Sequence, residues 1–192
     1  MIGFTFAKAL RNILRHDPDA IMIGEVRDKE TAEMAVESSL TGHLVLSTLY
    51  TNSAASTVTR LLEIGVPAYL LNATLSAVLA QRLVKRNCQH CLAEEDVKPF
   101  VQKALALDEK EVFYRGKGCE KCHGTGYQGR LAVYELMQID SDLRELIHAD
   151  VNINEIKQLA IKNGMTPLTD HALAVARSRD TSLEEVYSIR LM

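Results

Sequence analysis

Residues 20–32 read A-I-M-I-G-E-V-R-D-K-E-T-A, an apolar run of strand length that breaks at a glycine. A carboxylate, an arginine and a second carboxylate follow at once. Such an unbroken apolar run predicts a fully buried strand over Ala20–Gly24. Asp28 is placed to cap a helix through Ser39, with Ala32, Ala35, Val36 and Leu40 on its inner side. Thr41-Gly42 then turns the chain into a second buried strand, His43–Thr48. Helices are predicted over Ala54–Ile64, closed by Gly65, and over Pro67–Arg86, opened by Pro67. Upstream, Phe6, Leu10, Ile13 and Leu14 recur at helical spacing, predicting a helix over Thr5–Arg15 that His16-Asp17-Pro18-Asp19 stops. Strand, helix, strand, helix is the order of an α/β fold, a parallel sheet wrapped by helices.

Parallel sheets bind ligands just beyond the carboxyl ends of their strands. Glu25 and Thr48 both fall there, one after each strand. Two readings of Glu25 follow: a solvated carboxylate where a strand surfaces, or the acid of a phosphate site that holds magnesium or polarises a water. The phosphate loop G-x-x-x-x-G-K-[ST] does not occur in these 192 residues. Gly116-Lys117 is followed by Gly118 and lacks the upstream glycine.

A net charge of −3 gives no general attraction to nucleic acid or to an anionic bilayer. No stretch approaches the roughly 20 apolar residues of a membrane span; Val66–Ala80 is too short and carries Asn72, Thr74 and Ser76. Met1 leads into a patterned helix rather than a secretory leader, so a soluble cytoplasmic protein is expected.

The four cysteines fall as Cys88-x-x-Cys91 and Cys119-x-x-Cys122. Two such pairs suit four-sulfur, tetrahedral zinc, which closes a loop too small to have its own core and leaves no open position for catalysis. Three alternatives stand beside it. Cys119-x-x-Cys122-His123 spells the haem-attachment pattern but leaves Cys88 and Cys91 unexplained. Cys122-x-Gly124-x-Gly126 echoes the zinc repeats of J-type co-chaperones, and reduced cysteines could simply pack. Around them a short helix near Val97–Leu107 and a strand over Leu131–Leu136 are predicted, with helices beyond. Ser182-Leu-Glu-Glu185 has capping-box spacing for the last one.

Three segments carry a family resemblance: L-R-N-I-L-R-H-D-P-D (10–19), I-M-I-G-E-V-R-D-K-E-T-A (21–32) and T-G-H-L-V-L-S-T-L-Y-T-N (41–52). In order and spacing they resemble the Asp box, Walker B and His box of the secretion ATPase superfamily, the motors of type II secretion and type IV pilus assembly. Ala80-Gln-Arg-Leu83, the tetracysteine segment and Tyr134-Glu-Leu136 are similar to the same family's assembly motors.

The resemblance implies a fold: the partial core of a RecA-like P-loop ATPase over residues 1–86. A tetracysteine zinc subdomain over 87–130 and a mainly helical C-terminal region over 131–192 would follow. It implies that Glu25 is the catalytic acid acting on the water that attacks the γ-phosphate. Arg11, Arg15, Arg27 and His43 would then serve phosphate contacts or subunit boundaries, with Asp17 and Asp19 as Asp-box acids that could equally cap the turn around Pro18. It further implies ATP, Mg2+ and structural zinc, a hexameric ring, no nucleic acid, and a cytoplasmic place at the inner membrane through platform proteins. The family's Walker A loop lies upstream of where Met1 begins, so turnover of ATP by these residues alone is not expected. Three functions follow as expectations: a type II secretion ATPase, a type IV pilus assembly ATPase, or a catalytically inactive zinc-containing interaction module. Tyr50 stands where the family commonly has a second histidine, and tyrosine carries no positive charge near pH 7.

Overall fold

The computed structural model describes residues 18–191 together with Asn12, Ile13 and His16. The helix expected over Thr5–Arg15 lies outside the described residues except for Asn12 and Ile13, which are helical. The described chain forms two compact units, each built from two stretches: residues up to Val78 with Met137–Gly164, and Leu79–Leu136 with residues from Met165 onward.

In the first unit, β1 (Ala20–Ile23) and β2 (Leu44–Ser47) run parallel, in register from Ala20 opposite Leu44 to Ile23 opposite Ser47. The crossover helix α1 (Lys29–Leu40) packs against β2. Its N-cap is Asp28, whose carboxylate accepts from the Thr31 N–H at 2.8 Å, as the sequence predicts. Neither strand is buried on both faces, however. Ile21 and Ile23 point inward while Met22 is 76% exposed, and Leu44 and Leu46 are exposed as well. Among the described residues this sheet holds two strands. An apolar run records what a strand is built to touch and does not say which segment supplies the partner.

Helix α2 (Ala54–Ile64) has its predicted bounds. Ser53 caps it in a reciprocal pair with Ser56, and Gly65 ends it at φ +103°, a left-handed conformation that a Cβ disfavours. Ala54, Ala55, Val58 and Leu61 form its buried stripe. α3 (Ala68–Thr74) follows, with α5 (Ser141–Leu146) and α6 (Ile153–Lys162) later in the chain; α6 packs on α2.

The helix expected over Pro67–Arg86 stops at Thr74, and Ala77–Asn87 is strand β3. Its leucines, alanines, glutamine and arginines are good helix formers in isolation. Pairing with β6 (Tyr127–Gln138) overrides that preference, and Val78, Ala80 and Val84 turn inward at the two-residue period of a strand.

The second unit adds an antiparallel pair, β4 (Leu92–Glu94) with β5 (Tyr114–Gly116), and helices α4 (Pro99–Ala104), α7 (Leu168–Arg177) and α8 (Leu183–Arg190). Its core includes Val84, Phe113, Val133, Ala172, Leu183 and Val186.

Candidate functional site

Beyond the β1–β2 ladder two further bonds hold the strand ends together. The Thr48 hydroxyl donates to the Gly24 carbonyl at 2.6 Å, and the Val26 N–H donates to the Thr48 carbonyl at 2.9 Å. These bonds set Glu25 beside Thr48 at the carboxyl edge of the sheet, where the sequence places them. Arg27 then folds back, with its Nε 2.8 Å from a Glu25 carboxylate oxygen. A second guanidinium nitrogen donates to the Tyr50 hydroxyl at 3.3 Å, and the guanidinium carbon lies 5.4 Å from the centre of the Tyr50 ring. Tyr50 and Glu25 together push the Arg27 pKa above its already high usual value, so Arg27 is a fixed positive charge. A cavity of ≈ 440 Å³ opens beside this pair, lined by Val26, Arg27, Tyr50 and Arg60. Arg60 and the Tyr50–Arg27 contact escaped the sequence reading. A lone arginine on α2 carries no motif, and Tyr50 meets a residue 23 positions away.

The second carboxylate of the opening stretch has another task. Asp28 is spent on capping α1, and the Thr31 N–H holds its pKa below the usual carboxylate value.

Asp19 and His43 lie at the other end of the sheet. The Asp19 carbonyl, one residue before β1, accepts from the N–H of Leu44, the first residue of β2, at 3.4 Å. His43 Nδ1 is 3.1 Å from the Ser38 carbonyl and 3.0 Å from the Thr41 hydroxyl. A carbonyl only accepts, so Nδ1 carries the proton and ties β2 to the end of α1. Five residues of extended chain, roughly 16 Å, separate His43 from Thr48. The structure therefore does not bring His43 or Asp19 to Glu25. Arg11, Arg15 and Asp17 lie outside the described residues.

The four cysteines converge. Their sulfurs all lie within 4.8 Å of one another, with 3.9 Å between Cys88 and Cys119, 3.8 Å between Cys91 and Cys122, and 3.7 Å between Cys119 and Cys122. Four sulfurs bound to one zinc ion at about 2.3 Å stand about 3.8 Å apart, so these edges match a tetrahedral site. Each pair bends through one turn of 3-10 helix, Gln89–Cys91 and Glu120–Cys122. Backbone donors face the sulfurs: Gly118 N–H to Cys91 at 3.3 Å, and Cys119 and Gly126 N–H to Cys122 at 3.1 and 3.2 Å. Burial raises the Cys122 thiol, but the Cys119 and Gly126 N–H groups outweigh it and bring it down to about 6. Burial pushes Cys91 up to about 12. Donors aimed at sulfur suit thiolates, the form that binds a metal.

A parallel strand pair joined by a crossover helix places the chain among the α/β proteins, and the carboxylate–guanidinium pair lies beyond the carboxyl ends of its strands, where such sheets take their ligands. A family-wide profile described as "Type II/IV secretion system protein" matches residues 1–188, and the chain belongs to that family. It is 49% identical over 188 residues to a type IV pilus assembly ATPase PilB from Thermus thermophilus, with 96% of this chain and 21% of the relative covered. Against the type II secretion system ATPase E of Vibrio cholerae it is 43% identical over 190 residues, covering 98% of this chain and 38% of that one. Among solved structures it is similar to the pilus retraction motor PilT with bound ADP, at a TM-score of 0.65 and 26% identity, covering 96% of this chain and 43% of that one. The chain thus spans less than half the length of each of these proteins. Among the described residues no helix is long and apolar enough to cross a membrane.

Proposed function

We propose that these residues form the C-terminal part of a hexameric, RecA-like ATPase that drives type II protein secretion by pseudopilus assembly. The observation that carries this reading is Glu25 at the carboxyl edge of β1, locked beside Thr48, in a chain that is 43% identical to a secretion ATPase over nearly its whole length. Magnesium-bound ATP would be gripped by a phosphate loop elsewhere in the polypeptide. Glu25 would orient and deprotonate the attacking water, and Arg27 would hold its carboxylate in place. Zinc on Cys88, Cys91, Cys119 and Cys122 would be structural, fixing the 87–130 subdomain. Arg11 and Arg15 would contact phosphate or a neighbouring subunit, with Asp17 and Asp19 as Asp-box acids that also cap the turn around Pro18. His43 would steady the start of β2 beneath the site. The motor would act in the cytoplasm, at the inner membrane through a platform protein.

The same residues serve equally in a type IV pilus assembly ATPase, a reading favoured by the 49% identity to the Thermus protein. ATP hydrolysis by these 192 residues alone and by a polypeptide that also carries the phosphate loop tests the proposal. Turnover by the longer chain only is the expected result. Binding of platform proteins with no turnover by either would favour an interaction module instead.

A further inference from the structure

Tyr50 is 76% exposed, yet both its polar and aromatic parts are engaged by one guanidinium. The loop that carries it is anchored on both sides. Thr48 is bonded to Gly24, and the Thr51 hydroxyl lies 2.8 Å from that of Thr57 on α2. The Thr51 N–H donates to the Leu49 carbonyl at 3.2 Å, so Tyr50 stands at the tip of a tight turn between two fixed points. Arg27 uses one nitrogen for Tyr50 and another, Nε, for Glu25. A guanidinium is a rigid plane, so whatever fixes one of its N–H groups also fixes the direction of the others.

We infer that Tyr50 is a positioning residue, which sets the plane of Arg27 and through it the direction of the Glu25 carboxylate. This role rests on the reading of Glu25 as the residue that acts on water. It also accounts for a tyrosine at this place. A tyrosine accepts from Arg27 and offers its ring face to the cation while staying uncharged through the neutral range. A protonated imidazole could not accept that bond. It would add a positive charge to a cavity already lined by Arg27 and Arg60, with Glu25 paired to Arg27 and Glu63 paired to Arg60 at 3.2 Å.

The test is steady-state ATP hydrolysis from pH 5.5 to 8.5, in the polypeptide that includes the phosphate loop, for the parent and for Tyr50→Phe, Tyr50→Leu, Tyr50→His and Glu25→Gln. Tyr50→Leu is expected to lower kcat by roughly 10- to 100-fold with KM for ATP unchanged, the size of effect that misplacement of a reacting group produces. Tyr50→Phe, which keeps the ring, falls between it and the parent. Tyr50→His acquires an acidic limb near pH 6.5 that the parent lacks. A Tyr50→Leu protein with parental kcat, or a Tyr50→His profile that overlays the parent's, overturns the role of Tyr50 provided Glu25→Gln is inactive. Parental turnover by Glu25→Gln would instead remove the reading of Glu25, and the role of Tyr50 with it.

Discussion

A methyl group on Gly126 would lie 2.2 Å from the Gly116 carbonyl oxygen, and Gly126 itself has φ +78°. The reciprocal approach is as tight, with 2.0 Å from a Cβ on Gly116 to the Gly126 carbonyl oxygen. This crossing sits against the four-cysteine cluster, since the Gly126 N–H faces the Cys122 sulfur and its carbonyl accepts from the Cys88 N–H at 2.9 Å. Gly126→Ala should therefore cost on the order of 2–4 kcal/mol, combining left-handed strain with backbone displacement. Urea unfolding checks it, and an unchanged midpoint would mean the crossing relaxes freely. The convergence of the cysteines was legible because it is written in short spacings, and the place of Glu25 was legible because an apolar strand runs up to it; spacing alone did not give Glu25 a role. The requirement at Gly126 was not legible, because the atom that forbids a side chain lies ten residues back, at the end of β5.

The amino end of α8 is assembled from distant residues. Ser182 caps it, with its hydroxyl accepting from the Glu185 N–H at 3.4 Å. The expected reciprocal arm is missing, since Glu185 turns its carboxylate to the Lys85 N–H at 2.8 Å and to the Lys85 ammonium at 3.1 Å. Glu95, beside β4, accepts from the next free donor of the helix start, the Leu183 N–H, at 2.9 Å. Burial raises the Glu95 pKa even against that bond. The folded state then holds this proton more tightly than the unfolded one. The contribution is full below the unfolded pKa and is lost as pH rises through the folded value. Glu95→Gln keeps an acceptor and removes the charge, so its stability should fall less than the parent's between about pH 4 and pH 7. Parallel urea melts at both pH values measure this, and identical falls would contradict it. Asp28 and Asp140 have depressed pKa values, mainly through backbone N–H bonds from Thr31 and Leu143, and act with the opposite sign, contributing above their unfolded pKa and losing it as pH drops. Of the elements, α1 and α2 were readable from caps and periodicity. β3 was not, because its strand state is decided by β6, some fifty residues further along.

Across the molecule, the parallel strand order, the acid at the strand ends and the four-sulfur cluster were all present in the sequence as patterns. The division into two units, each taking two separated stretches, was not, because contacts between distant stretches leave no local signal. The cluster predicts one zinc ion per chain by elemental analysis. Chelation should raise amide exchange across 87–130 and at the start of α8, where Glu95 and Tyr127 hold Leu183 and Ser182. Exchange unchanged on metal removal would mean that reduced cysteines merely pack there. The central claim is that Glu25 stands at the sheet edge to act on water. The most direct measurement is ATP turnover by the Glu25→Gln protein in the polypeptide carrying the phosphate loop, with nucleotide binding followed in parallel. A loss of roughly 100-fold or more with binding retained is the predicted result, and turnover at the parental rate would contradict it.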